Sequence, residues 1–211
     1  MRAVLLAVNL LLPVSAAASP PPEPGVSLEL AQWRAKHYRD IRYALRIHLA
    51  EGAESVKGKL EITAKLPRKP VDLVLDWRGA PVRDVRVNDV SILPEVDNDH
   101  LIIGRQHLKG GKNTVRLTFE SPVAVQGSAV TRYTDREDGS EYVYTLLVPA
   151  DASALFPCFD QPDLKARFSL ELDLPDHWQA VSNGGAEKRL PGSIKFRQNW
   201  NRRANRRSSR N

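Results

Sequence analysis

The sequence predicts an all-β fold, an antiparallel β-sandwich preceded by one short N-terminal helix. Three observations predict it. Ile41, Tyr43, Leu45, Ile47 and Leu49 alternate with Arg42, Ala44, Arg46 and His48, which is the twofold period of a half-buried strand, and similar runs recur along the chain. Turn-forming residues separate the runs, among them Asn88-Asp89, Asp97-Asn98-Asp99 and Gly110-Gly111. Helical spacing is confined to one segment after Ser27, with no internal repeat and no heptad.

The chain starts Met1-Arg2, continues with an apolar run from Ala3 to Leu12, and reaches small residues from Ser15 to Ser19. That pattern predicts a signal peptide over residues 1–18, cleaved near Ala18, and a secreted or periplasmic product. The run is too short to span a bilayer. Residues 19–26 hold Pro20, Pro21, Pro22 and Pro24 and read as an exposed, extended spacer. The folded body is expected over residues 27–198. Ser27 caps a helix reaching about Tyr38, with Glu29 in its first turn and Leu28, Ala31 and Ala35 on its packed face.

The Ile41 strand follows, and Leu60, Ile62, Ala64 and Leu66 form the next, expected to pair antiparallel with it. Further strands are expected at Val71–Trp77, Val82–Val87, Leu101–Ile103 and Val115–Phe119. The last group comprises Glu141–Val148, Phe168–Leu174, Ala180–Ser182 and Ser193–Arg197. Ten or so strands with polar turns make a sandwich of one domain.

Hydrophobic residues are 42% and charged residues 27% of the chain, a balance that supports a packed core. The net charge of +6 is local, because nine of the 31 basic residues lie from Lys188 onward, where no acid occurs. Met1–Glu187 therefore has 22 basic against 25 acidic residues, a net charge of −3. Residues 199–211 read as a basic disordered tail, and the abrupt shift in composition is expected from a frameshift or a truncation after Phe196. A basic arm for nucleic acid is the alternative, but the tail offers only Trp200 for stacking, so no nucleic-acid partner is expected.

Cys158 is the only cysteine, so an intramolecular disulfide is impossible and a buried structural thiol is expected. Around it runs the densest segment of the chain, Phe156-Pro157-Cys158-Phe159-Asp160-Gln161-Pro162, followed by Lys165-Ala166-Arg167-Phe168. Two prolines fix the backbone on either side of Asp160, whose carboxylate needs backbone N–H donors or a cation such as Lys165 or Arg167. A hydrolytic acid pair of Asp160 with Asp163 or Glu141 is the weaker reading.

The segment resembles the FPCFDEP…KARF signature of the aminopeptidase N family of zinc metallopeptidases, and Trp178–Asn183 resembles the strand that follows it there. The order of strands extends the likeness over roughly Val26–Phe196. The resemblance implies a saddle-shaped N-terminal β-domain that packs on a thermolysin-like zinc domain and closes one side of a peptide cleft. It makes Phe156, Pro157, Cys158, Phe159, Asp160 and Pro162 a structural signature. In complete members the cofactor is zinc, bound through H-E-x-x-H. Here His37, His48, His100, His107 and His177 include no pair four apart, no G-x-M-E-N occurs, and the only methionine is Met1. No catalytic residue, metal ligand or cofactor is therefore expected in this chain.

The family also places a glutamine and an acid from this domain at the cleft, in a T-Q-x-E pattern. With Thr145 aligned on its threonine, Leu146 and Val148 occupy those two positions, so no substrate-binding residue is assigned. Either substrates are recognised differently or the cleft-facing role is lost. The expectation is a non-catalytic N-terminal domain whose partner is a catalytic domain outside this chain, with peptides engaged only through that domain. Separated from it, the fold is expected to expose an apolar face. A free-standing secreted β-sandwich binding module is the alternative.

Overall fold

A computed structural model describes residues 19–198. The expected signal peptide and basic tail lie outside the described residues. Ser27 caps helix α1 (Leu28–His37), its hydroxyl accepting from Leu30 N–H at 3.1 Å. The helix lies where expected but is rotated about its axis. Leu28 is 75% exposed, whereas the buried pair is Leu30 and Arg34, four residues apart on one face. A buried ion pair, described below, turns Arg34 inward.

Strands β1 (Arg39–His48) and β2 (Ser55–Leu66) pair antiparallel, with Leu45 opposite Leu60 and Tyr43 opposite Ile62. The alternating residues of β1 are buried as expected, each on the same side of the sheet. Next come β3 (Leu73–Asp76), β4 (Arg83–Val87), β5 (Val90–Ser91), β6 (Glu95–Asp97), β7 (His100–Ile103) and β8 (Gly111–Pro122). Asn88 and Asp89 both have positive φ between β4 and β5, as do Asn98 and Asp99 between β6 and β7, so the expected turns are tight hairpin turns. The chain closes with β9 (Val130–Thr134), β10 (Glu141–Thr145), β11 (Arg167–Asp173), β12 (Gly185–Leu190) and β13 (Ser193–Gln198).

Eight strands form one sheet in the order β12-β13-β11-β1-β2-β8-β4-β5. Its neighbours run antiparallel except β11, which lies parallel to β1 with Tyr43 opposite Phe168. A three-stranded sheet, β3-β7-β6, and the β9-β10 hairpin complete the fold. All four residues of β3 are buried, so that strand is covered on both faces. The large sheet contributes Leu45, Ile62, Leu117 and Phe119 to a core shared with Leu75, Leu101, Ile103 and the Phe156–Phe159 segment.

Two further expectations need correction. Ala180–Ser182 is not a strand: the segment is irregular, and Val181 is 95% exposed with nothing to pack on. The proline segment is not wholly free either, since Pro22 O accepts from Asn98 Nδ2 and Glu23 O from His100 Nε2, both at 2.9 Å.

Candidate functional site

The end of β3 organises the region around the signature. Asp76 exchanges both backbone hydrogen bonds with Cys158, 2.7 Å from its N–H and 3.1 Å to its carbonyl. Its carboxylate is buried and faces four donors. Arg34 Nη2 reaches Oδ1 at 2.5 Å, and Arg34 Nη1 reaches Oδ2 at 2.8 Å, a bidentate pair. The Asp160 N–H donates to Oδ2 at 2.7 Å. His100 Nδ1 lies 3.0 Å from Oδ1, off the ring N–H axis, so that contact is an ion pair more than a directed hydrogen bond.

His100 is 1% exposed and lies between two oxygens, the Asp76 carboxylate and the Glu23 carbonyl. Neither oxygen can donate, so both ring nitrogens carry protons only in the imidazolium form. Burial pushes its pKa down, but Asp76 and the Glu23 carbonyl hold it above the ordinary value. For Asp76 burial pushes the pKa up, and His100, Arg34 and the Asp160 N–H together hold it below the usual carboxylate range. Arg34 also lies over the Phe159 ring at 5.6 Å and donates to Gln161 Oε1 at 3.4 Å. One buried carboxylate thus joins α1, β3, β7, the proline segment and the signature.

Two residues further on, Arg78 pins the approach to the signature. Its guanidinium donates to Asp151 Oδ1 at 2.5 Å and to the Ala150 carbonyl at 2.9 Å, and its N–H to the Ser153 carbonyl at 3.0 Å. Ser153 N–H in turn donates to Asp160 Oδ2 at 3.0 Å. Asp160 therefore takes its donor from the backbone, while Arg167 pairs with Asp40 at 3.1 Å. Phe156, Pro157, Cys158 and Phe159 are buried, and Pro162 is exposed. The Phe159 N–H donates to Tyr43 Oη at 3.0 Å, and Ser121 Oγ donates to the Leu155 carbonyl at 2.6 Å. The Cys158 thiol is enclosed, and burial pushes its pKa well above the ordinary value, which makes it a poor nucleophile.

The acids of the alternative pair each have other partners. Glu141 pairs with Arg132 at 3.1 Å, and Asp163 accepts from Gln161 Nε2 at 2.9 Å. The described residues do not fit a zinc ion: among them no group of three or more His, Cys, Asp or Glu converges, and His100 and Asp76 are committed to each other and to Arg34.

The β9-β10 hairpin carries the other predicted positions. Tyr133 stands opposite Tyr142, and beyond Thr145 the ladder continues with Leu146 N–H to the Ala129 carbonyl at 3.0 Å. Tyr133, Tyr142 and Tyr144 are each about half exposed, Leu146 is 61% exposed and Val148 is 76% exposed. Val130 is buried and Val143 half-buried against the core, so the hairpin has one packed face and one bare face. The two positions assigned to the family's cleft contacts are thus at the surface, on an apolar strip joined to the signature by the segment that Arg78 holds.

Sequence reasoning missed Arg34, Asp76 and His100. The available signal was a charged residue four positions from Leu30, together with an apolar strand ending in an aspartate.

Residues 36–205 match the family model described as the peptidase M1 N-terminal domain. The chain belongs to that family. Aminopeptidase N of Streptomyces lividans is 34% identical over 110 residues, covering 52% of this chain and 13% of that protein. Glutamyl aminopeptidase of Rattus norvegicus is 25% identical over 206 residues, covering 84% of this chain and 21% of that protein. Among solved structures, the M1 zinc metallopeptidase of Deinococcus radiodurans matches with a TM-score of 0.59 at 20% identity, over 77% of this chain and 39% of the other. Native leukotriene A4 hydrolase of Saccharomyces cerevisiae matches with a TM-score of 0.64 at 18% identity, over 78% and 27%. These structural matches share the fold of this M1 domain. The chain spans only 13% and 21% of the two curated relatives, so their activities belong to much longer proteins.

Proposed function

We propose that this chain serves as the non-catalytic N-terminal domain of a secreted zinc aminopeptidase, bracing one side of a peptide cleft whose zinc site lies in a domain outside these 211 residues. The family match over residues 36–205 carries the reading. The exposed strip from Tyr142 to Val148 supports it, because a rigidly held apolar face is what a docked partner domain would cover. The apolar Leu146 and Val148 in that strip offer no acceptor for a charged peptide N-terminus, so the domain's contribution is shape and water exclusion. The leader-like residues 1–18 support export. A free-standing binding module is not favoured by the family match.

The test is hydrolysis of aminoacyl amides by the purified chain with and without zinc. No turnover is expected, and robust zinc-dependent turnover by the chain alone would overturn the proposal.

A further inference from the structure

The other face of the eight-stranded sheet looks to solvent, away from the buried Phe156–Phe159 segment, and takes Arg167 from the KARF end of the signature. We infer that this face is a binding groove for a linear acidic polysaccharide, held by Arg197, Arg167, Arg42, Lys65 and Lys112. The sheet order places these five cations on consecutive strands β13, β11, β1, β2 and β8. Arg42 is opposite Arg167, Lys65 is opposite Lys112, and Arg197 is opposite Ser169, diagonal to Arg167. The row crosses four strand spacings, a span of about 19 Å.

Like charges placed directly opposite one another weaken a sheet, yet two such pairs sit side by side here. Internal neutralisation is incomplete. Asp40, at a bulge with φ 48°, is shared by Arg167 at 3.1 Å and by Arg42 and Lys65 at 3.3 Å. Glu187 takes Arg197 at 3.0 Å, and Glu61 is engaged by Arg116 at 2.7 Å. Lys112 has no ion-pair partner among the described residues. Five cations therefore face two neutralising acids, although the chain through Glu187 is net acidic. The fold accepts a local repulsion that a bound polyanion would relieve.

The shape and lining select among polyanions. The cations border a groove of about 660 Å³, with the hydroxyls of Thr63 and Ser169 between them. Cations interleaved with hydroxyls match a chain that presents both acidic groups and sugar hydroxyls. The aromatic lining residues, Tyr43 and Phe168, pack against Phe156 and provide no stacking platform for bases. A flat bilayer would meet only the rims of a groove and would find no apolar side chain to insert.

The deciding measurement is fluorescence anisotropy of the full chain with a fluorescein-labelled heparin hexasaccharide across a salt series. Binding is expected to weaken with salt, and K65E/K112E/R167E is expected to weaken it at least tenfold and flatten the salt slope by about two to three. The neutral K65Q/K112Q is expected to leave the thermal midpoint level or raise it, because one opposed cation pair is removed and no opposed anion pair replaces it. Should the triple variant fail to fold, K65Q/K112Q also decides by the same loss of affinity. A tail variant, R202Q/R203Q/R206Q/R207Q/R210Q, is expected to retain binding. Binding that survives the groove changes and disappears with the tail arginines would overturn the inference. So would tighter binding to phosphatidylglycerol vesicles or to a single-stranded oligonucleotide than to the hexasaccharide.

Discussion

Replacing Arg34 with leucine tests whether the buried carboxylate of Asp76 is the tie that holds the signature in place. Arg34 is fully buried and supplies two of the four donors around that carboxylate. Each charge-assisted hydrogen bond contributes roughly 1.5–3 kcal/mol. Losing both gives about 3–6 kcal/mol, in line with the roughly 3–5 kcal/mol expected when one partner of a buried ion pair is removed. The remaining donors, His100 and the Asp160 N–H, keep Asp76 from being wholly uncompensated, so the lower half of that range is expected. For a domain of this size each kcal/mol lowers the thermal midpoint by about 2–4 °C, so a drop of about 6–16 °C is predicted. Urea unfolding and differential scanning fluorimetry measure it. The double variant R34L/D76L removes the stranded charge and is expected to recover part of the loss, a coupling of at least about 1 kcal/mol. A single-variant loss below about 1 kcal/mol, or strict additivity in the double variant, would refute the reasoning.

Three further outcomes follow from the same geometry. The pKa of His100 is raised on folding, so its contribution is complete below the ordinary value of 6.5 and is lost as pH rises through the folded value. The thermal midpoint should fall along that limb, and H100Q should flatten it; an unchanged slope in H100Q would exclude His100 as the source. A Cβ on Gly58 would lie 1.9 Å from Phe119 Cζ, so G58V should cost about 1–3 kcal/mol by equilibrium unfolding, with part recovered by F119L. Y142E/Y144E should change stability by less than about 0.5 kcal/mol yet reduce self-association in sedimentation velocity, since those rings are half exposed.

The parts legible in the sequence are those governed by local chemistry. The alternation of β1 and β2 survives because each strand has one core face and one solvent face, and the Asn88-Asp89 turn adopts positive φ at both residues. Long-range pairing left no such trace. β11 lies parallel to β1 although more than a hundred residues separate them, and only register in space shows that Arg42 meets Arg167. Ala180-Val181 imitates a strand start, but no neighbour pairs with it. β9 and β12 carry no legible strand signal, because Thr131-Arg132 and Glu187-Lys188-Arg189 break any apolar alternation. Helix α1 is legible by its cap but not in its rotation, because an apolar pattern cannot announce a buried arginine whose partner is 42 residues away.

The placement of Asp76 also explains why the signature concentrates prolines and aromatics around Asp160. The carboxylate at Asp76 accepts the Asp160 N–H, and that at Asp160 accepts the Ser153 N–H, so each closes one stretch of an irregular loop that no strand ladder covers. Phe156 and Phe159 then bury the loop against Tyr43, whose hydroxyl accepts the Phe159 N–H. Rigidity gained there passes directly to residues 146–151, since Arg78 grips Ala150 and Asp151 from the same stretch of chain that carries Asp76. A reactive carboxylate at Asp160 is unnecessary for this role. What the arrangement demands is an acceptor at each position, so D160N, which keeps a carbonyl oxygen for Ser153, should be tolerated within about 1 kcal/mol, while D160A should cost more by leaving that N–H without its acceptor.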